Sequence, residues 1–164
     1  MSAGDILCRE RIEREDIAHI VHHLRERDRR EMFALRWDDN EEHLTDAIFA
    51  VAGPMWRLWC WRDEPVALSG IIPQRPGVVM AGAFGTERFP RVARAILSWG
   101  RRWVIPRLQA AQYHRGEAYA LAANIDGQRF IEAMGGRKEA YLHKYGRDRE
   151  DFVLFVWRLD EDTY

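Results

Sequence analysis

The pattern of apolar and polar residues divides the chain into short strands and amphipathic helices. Runs that are apolar throughout, or that are bounded by turn residues, predict strands. The predicted strands are Ile6–Cys8, Trp56–Trp61, Pro65–Ile72, Val78–Phe84, Glu117–Ala122, Arg137–Tyr145 and Phe152–Leu159. The fourth of them, Val78–Phe84, contains no polar side chain, which is typical of a strand covered on both faces.

Three helices are predicted between the first strand and the second. The i, i+3, i+4, i+7 pattern of a first helix is formed by Ile17, Ile20, Val21 and Leu24. Asp28 and Glu31 are spaced as the N-cap and N3 residues of a capping box, so a second helix is predicted from Asp28. A third begins near Asn40 and ends at Gly53-Pro54, and its inward residues are predicted to be Leu44, Ile48 and Val51.

A long helix with one basic side follows the strand Val78–Phe84. Pro90 suits its first turn, where a missing N–H is no loss, and Pro106 is predicted to end it. Its apolar face consists of Val92, Ile96, Trp99 and Trp103. A separate sector about 100° wide holds Arg91, Arg94, Arg101 and Arg102. A last helix is predicted from Asn124 to the C-cap glycines Gly135-Gly136.

The order of the elements predicts one α/β (α+β) domain over residues 1–164, with a mixed sheet of about seven strands flanked by helices. A helix connects Val78–Phe84 to Glu117–Ala122, which requires a right-handed crossover between parallel neighbours. We therefore predict that these fourth and fifth strands are adjacent and parallel, and that they separate at their C-terminal ends.

The amino-acid composition argues against several classes of protein. The 164 residues include 25 basic and 26 acidic side chains, so the charge gives no preference for nucleic acid or membranes. A hydrophobic fraction of 47% argues against disorder. The charged segment Met1–Asp16 does not resemble a signal peptide, and no apolar run reaches membrane-spanning length. These features predict a protein that is not secreted and has no membrane span.

Few residues indicate catalysis. His19, His22 and His23 have metal-like spacing, but His19 and His23 lie opposite the apolar face of their helix, so no metal site is predicted. The sequence has no Gly-x-Ser-x-Gly motif and no Walker loop, which argues against a serine nucleophile and against nucleotide hydrolysis. No catalytic residue is predicted.

The element order over nearly the whole chain resembles the GNAT acyltransferase superfamily. In that family, the fourth strand and the helix after it hold the pyrophosphate of acetyl-CoA through a Gln/Arg-x-x-Gly-x-Gly/Ala loop. The corresponding run here is Arg88-Phe-Pro-Arg-Val-Ala93, so the resemblance implies cofactor contacts from Arg88, Arg91, Val92 and Ala93. Arg91 replaces the central glycine and Pro90 removes an N–H donor, which makes the site degenerate.

A second family pattern follows the fifth strand and is matched by Asn124, Phe130 and Gly135 in the run 124–136. The resemblance implies that Asn124 belongs to the cofactor site. The family often has a tyrosine that protonates the departing thiolate, and this chain has Ile131 instead. Because isoleucine has no ionisable proton, the pattern supports the fold but weakens the chemistry.

A narrower resemblance points to tailed phages. The run Leu24–Glu31, the run Phe84–Thr86 and the run 124–135 are similar to GNAT-like proteins grouped with the internal virion proteins of podoviruses. This resemblance implies an accessory or structural virion protein without acetyl transfer or a cofactor. It would be made in the host cytoplasm, could enter the virion, and would have other phage or virion proteins as partners.

Two alternatives remain open at this stage. One is an active N-acetyltransferase that uses acetyl-CoA. The other is a phosphate- or DNA-binding accessory protein whose contacts come from the basic sector, Arg91, Arg94, Arg101 and Arg102. The simpler interpretation of that sector is a solvated helix face.

Overall fold

The computed structural model describes residues 5–160, so residues 1–4 and 161–164 of the predicted domain lie outside the described part. Its strands are β1 (Ile6–Arg9), β2 (Arg57–Trp61), β3 (Glu64–Arg75), β4 (Val78–Gly85), β5 (Arg115–Leu121), β6 (Arg137–Leu142) and β7 (Phe152–Arg158). Its α-helices are α1 (Arg14–His22), α2 (Glu26–Ala34), α3 (Glu41–Val51), α4 (Ala93–Trp99), α5 (Ile105–Ala110) and α6 (Ile125–Ala133).

The strands form one mixed sheet in the order β1-β2-β3-β4-β5-β7-β6. Only β4 and β5 run parallel to each other; the other neighbours are antiparallel. The parallel pair is short, since Val78–Met80 pair with Arg115–Glu117 and the strands then separate. The predicted α/β fold and the predicted separation of the fourth and fifth strands are both confirmed.

Helices cover both faces of the sheet. Apolar residues of α1, α2 and α3 pack on one face against Trp56, Leu58 and Leu68. On the other face, Ile96 of α4 and its N-cap residue Val92 pack against Trp59 and Val66. Trp56 and Trp59 therefore point in opposite directions, as expected for a strand that is buried on both sides.

Three sequence predictions about the helices are wrong. Helix α2 begins at Glu26 with Arg25 as its N-cap, so Asp28 lies inside the helix and its carboxylate does not cap it. Val51 is 45% exposed at the last position of α3 rather than facing inward. Pro106 lies inside the helix α5 and does not end the pattern.

The reason for the third error is a change of helix type. Residues Gly100–Val104 form a π-helical segment between α4 and α5. A π turn widens the helix locally, and such turns accommodate a residue that cannot make the regular bond, here the proline that follows. The segment also shifts the angular positions of Arg101 and Arg102 relative to Arg91, so a uniform 3.6-residue period does not describe the basic sector.

Candidate functional site

The separation of β4 and β5 opens a cavity of about 330 Å³. Small residues of the two strands line it, among them Ala81, Gly82, Ala83 and Ala118. Helices α4 and α5, together with the π-helical segment, contribute mainly apolar side chains such as Ile96, Val104 and Leu108. The charged part of the lining comes from α2 with its N-cap and from the start of α6, and it includes every carboxylate of the cavity wall.

Helix α2 connects the two separating strands through carboxylates one turn apart. Asp28 Oδ2 accepts a hydrogen bond of 2.8 Å from the N–H of Gly85, the last residue of β4. Glu31 Oε2 accepts one of 2.8 Å from the N–H of Leu121, the last residue of β5. Residues i and i+3 share one helix face, so a single turn of α2 holds both strand ends. We call this pair of contacts the α2 bridge.

The β4 side of the α2 bridge is a buried ion pair. Arg25 donates to both oxygens of Asp28 at 2.7–2.9 Å, and its side chain is 10% exposed while that of Asp28 is 5% exposed. The backbone N–H of Arg25 also donates to the carbonyl of Gly85 at 3.0 Å. The guanidinium lies 4.0 Å from the centre of the Phe89 ring. The pair thus fixes α2 to the end of β4 and to the loop after it.

The β5 side of the α2 bridge is Glu31, a partly buried carboxylate that forms no ion pair within residues 5–160. Its Oε2 accepts from Asn124 Nδ2 at 3.0 Å in addition to the Leu121 N–H. Burial raises the pKa of Glu31 from its ordinary value of 4.5 to about 7, even though both hydrogen bonds oppose that rise. The group therefore titrates near neutral pH.

Asn124 has two roles at this point. Its Oδ1 accepts from the N–H of Gly127 at 3.0 Å and caps α6, while its amide nitrogen donates to Glu31. A β-carbon at position 127 would lie 2.6 Å from the amide nitrogen of Asn124, so this close cap needs glycine there. Asn124, predicted from the family pattern as a cofactor residue, lies on the cavity wall.

The loop predicted to hold pyrophosphate uses its own backbone donors. Phe89–Arg91 form one 3₁₀ turn, in which the N–H of Arg91 bonds to the carbonyl of Arg88 at 2.9 Å. The N–H of Val92 bonds to the carbonyl of Phe89 at 3.0 Å, and the Val92 side chain is fully buried in the core. Ala93 lines the cavity.

The arginine side chains of this loop lie on the surface. Arg88 forms an ion pair with Glu64, and its guanidinium lies 5.6 Å from the centre of the Trp61 ring. Arg91 approaches the same ring at 5.1 Å. Within residues 5–160, no carboxylate lies at ion-pairing distance from the exposed arginines of the basic sector, Arg91, Arg94, Arg101 and Arg102.

Ile131, the possible metal ligands and the possible membrane spans add no catalytic group to the site. Ile131 lies on the cavity wall and packs against the core, so the position offers no proton. In residues 5–160 no group of three His, Cys, Asp or Glu side chains is arranged to hold a metal ion. None of the helices in that range has the length and apolar character that crossing a membrane requires.

Sequence reasoning did not identify Glu31 as a site residue. Its spacing from Asp28 was interpreted as a helix cap, whereas the two carboxylates bind the ends of two strands. The partners of Glu31 lie 90 and 93 positions further along the chain. No local pattern encodes that proximity.

Solved structures with the same fold are acetyltransferases. An N-acetyltransferase from Staphylococcus aureus Mu50 superposes with a TM-score of 0.71 at 13% identity, over 94% of this chain and 99% of that one. YncA from Salmonella typhimurium, in a structure with its cofactor acetyl-CoA, gives 0.69 at 14% identity, over 98% and 97%. A GNAT-family acetyltransferase from Bacillus anthracis gives 0.65 at 17% identity, over 96% of each chain.

These similarities show that the chain has a GNAT-like fold. No protein-family model matches the sequence, and a search of curated proteins finds no match.

Proposed function

We propose that this protein is an N-acyltransferase that binds a CoA thioester in the cavity between β4 and β5. The observation that carries the proposal is the short pairing of these strands. Residues 81–84 of β4 and 118–120 of β5 do not pair with each other, and α2 binds only the strand ends at Gly85 and Leu121. Unpaired strand edges bind extended, amide-containing chains through backbone hydrogen bonds. The acyl-carrying arm of CoA is such a chain. The acetyl-CoA named for YncA supports the same choice of ligand.

Calorimetry with acetyl-CoA tests the proposal. We expect a dissociation constant in the micromolar range, about −8 kcal/mol. The variant Gly82→Phe should weaken binding at least roughly tenfold, about 1.4 kcal/mol. Gly82 lines the cavity, and a β-carbon there would meet no atom within 4 Å, so the strand tolerates a side chain at this position and the ring adds bulk beside the cavity.

The matched control is Gln74→Phe, an exposed strand residue that does not line the cavity. It should bind acetyl-CoA as the unmodified protein does. No detectable binding of acetyl-CoA at millimolar concentration would contradict the proposal, and so would equal losses in the two variants.

A second function is the one that the phage resemblance favours, an accessory virion protein with a degenerate acetyl-CoA site. The observation that supports it is the loop 88–92, where the N–H groups of Arg91 and Val92 bond within the loop and Pro90 has none. Each donor lost to a buried charged ligand costs on the order of 1–3 kcal/mol. This function needs other phage or virion proteins as partners, and it is favoured if the calorimetry shows no binding.

The arginines of the basic sector support a third function, contact with phosphate or nucleic acid. If Arg91, Arg94, Arg101 and Arg102 each neutralise one phosphate, the affinity should fall roughly 100-fold between about 50 and 200 mM salt. Filter binding of DNA measures this dependence. The double variant Arg91→Glu/Arg94→Glu should abolish retention, because it reverses two of the four charges.

The control for that experiment is Arg30→Glu/Arg137→Glu, which makes the same charge change at exposed residues of α2 and β6. This control variant should retain most of the DNA that the unmodified protein retains on the filter. Absence of retention at low salt would remove the nucleic-acid function.

A further inference from the structure

Three carboxylates line the cavity, and only one of them lacks a cation. Asp28 is paired with Arg25 through both of its oxygens, and Asp126 is paired with Arg27. Glu31 has no ion pair among the described residues. The strand residues that line the cavity are apolar, glycine, serine or tyrosine, so a carboxylate that is free to change its charge can come only from α2.

The two oxygens of Glu31 have different surroundings. Oε2 is fixed by the Leu121 N–H and the Asn124 amide, whereas Oε1 has no hydrogen-bond donor in residues 5–160. The carboxylate is therefore held in place by one oxygen and presents the other to the cavity. A purely structural acceptor for the two N–H groups would not require a charge, since a neutral amide oxygen accepts the same bonds.

We propose that Glu31 is the catalytic base that takes the proton from the acceptor amine. The inference rests on the proposed N-acyl transfer. The amine nitrogen attacks the thioester carbonyl carbon and forms the C–N bond, and its proton passes to Oε1. The C–S bond breaks, the CoA thiolate leaves, and the proton on Glu31 then passes to that thiolate or to solvent.

Two properties of the site fit this role. A base works best when its pKa is close to the working pH, and burial raises the pKa of Glu31 to about 7. Asn124 is a positioning residue, because it orients the carboxylate through Oε2 and is itself fixed by the Gly127 N–H. With Ile131 at the position where the family often has a tyrosine, Glu31 is the carboxylate of the cavity wall that has no ion pair in residues 5–160 and can therefore accept and return the proton.

The test follows release of the CoA thiol from acetyl-CoA between pH 5 and 9 with a panel of weakly basic aromatic amines, which stay unprotonated over this range and so contribute no pH dependence of their own. For the unmodified protein, kcat/KM should rise with pH through an apparent pKa of about 7. Glu31→Gln should lower kcat/KM by roughly 100- to 10,000-fold and remove that rising limb, while the dissociation constant of acetyl-CoA stays within twofold. Glu31→Asp should keep the limb with a reduced rate, because the shorter side chain still carries a base.

The matched control is Glu26→Gln, an exposed glutamate on the same helix, which should leave rate and profile unchanged. If Glu31→Gln turned over at the rate of the unmodified protein and its kcat/KM still rose with pH, this inference would be overturned. The proposed acyl transfer would stand. Binding of acetyl-CoA without turnover of any amine by the unmodified protein would overturn both the inference and the proposed transfer. Loss of acetyl-CoA binding in Glu31→Gln would assign the residue to cofactor binding instead, and so also overturn the inference.

Discussion

Replacing Asp28 with alanine is expected to lower the free energy of unfolding by about 3–5 kcal/mol, because it removes one partner of a buried ion pair. Arg25, 8% exposed, would keep its charge without a carboxylate, and the Gly85 N–H would lose its acceptor. Small domains are stable by only about 5–15 kcal/mol, so this single change should remove a large part of the total. Urea unfolding followed by tryptophan fluorescence measures the difference.

The chain contains a matched control for this prediction. Asp126→Ala also breaks an arginine–aspartate pair between α2 and another element, but the Asp126 side chain is 64% exposed. Exposed pairs contribute about 0–1 kcal/mol, so this variant should unfold almost as the unmodified protein does. The double variant Arg25→Leu/Asp28→Leu should recover part of the loss, since no unpaired charge remains. Equal losses for Asp28→Ala and Asp126→Ala would contradict the assigned role of the α2 bridge.

Replacing Glu31 with glutamine is expected to stabilise the protein above neutral pH. The folded pKa is about 7 and the ordinary value is 4.5, so between these values the folded chain keeps a proton that the unfolded chain has released. The free energy of unfolding therefore falls as the pH rises through this window. Each pKa unit corresponds to about 1.4 kcal/mol, which gives a total of about 3 kcal/mol by pH 8.

Urea unfolding at intervals from pH 4 to pH 8 tests the second prediction. The free energy of unfolding of Glu31→Gln should differ little from that of the unmodified protein at pH 4, where both side chains are neutral. Above pH 7 it should be higher by the full amount. Glu26→Gln supplies a control whose difference from the unmodified protein should not change across that window. Parallel pH dependence of the unmodified protein and Glu31→Gln would show that Glu31 ionises as an ordinary surface glutamate does.

The two predictions assign different energetic roles to the halves of the α2 bridge. Burial raises the pKa of Asp28 as well, but the fold requires its carboxylate because Arg25 and the Gly85 N–H would otherwise lack a partner. Glu31 destabilises the fold above neutral pH, because its charge is held in the cavity wall without a cation. A protein retains such a cost most readily where the ionisable group serves a function, which is the reason for testing Glu31 in catalysis.

The sequence by itself determined the elements and their order. Apolar runs and turn residues together predicted the seven strands, and the crossover between β4 and β5 implied their parallel pairing and their separation, both of which the structure confirms. Asn124 and Gly135 mark the two ends of α6 as predicted, since a capping side chain and a residue at positive φ are local requirements. These features depend on residues a few positions apart, or on connection rules that hold for any sheet.

The tertiary structure alone decided the candidate site. Asp28 and Glu31 have the spacing of a helix cap, but they bond to Gly85 and Leu121, which lie 57 and 90 positions away. These two bonds explain why neither carboxylate caps α2, and the π-helical segment explains why Pro106 lies within a helix. A carboxylate acquires an unusual pKa from the groups that surround it after folding, and sequence spacing does not specify that environment. Which glutamate is partly buried and unpaired among the described residues is therefore a property of the assembled sheet and helices.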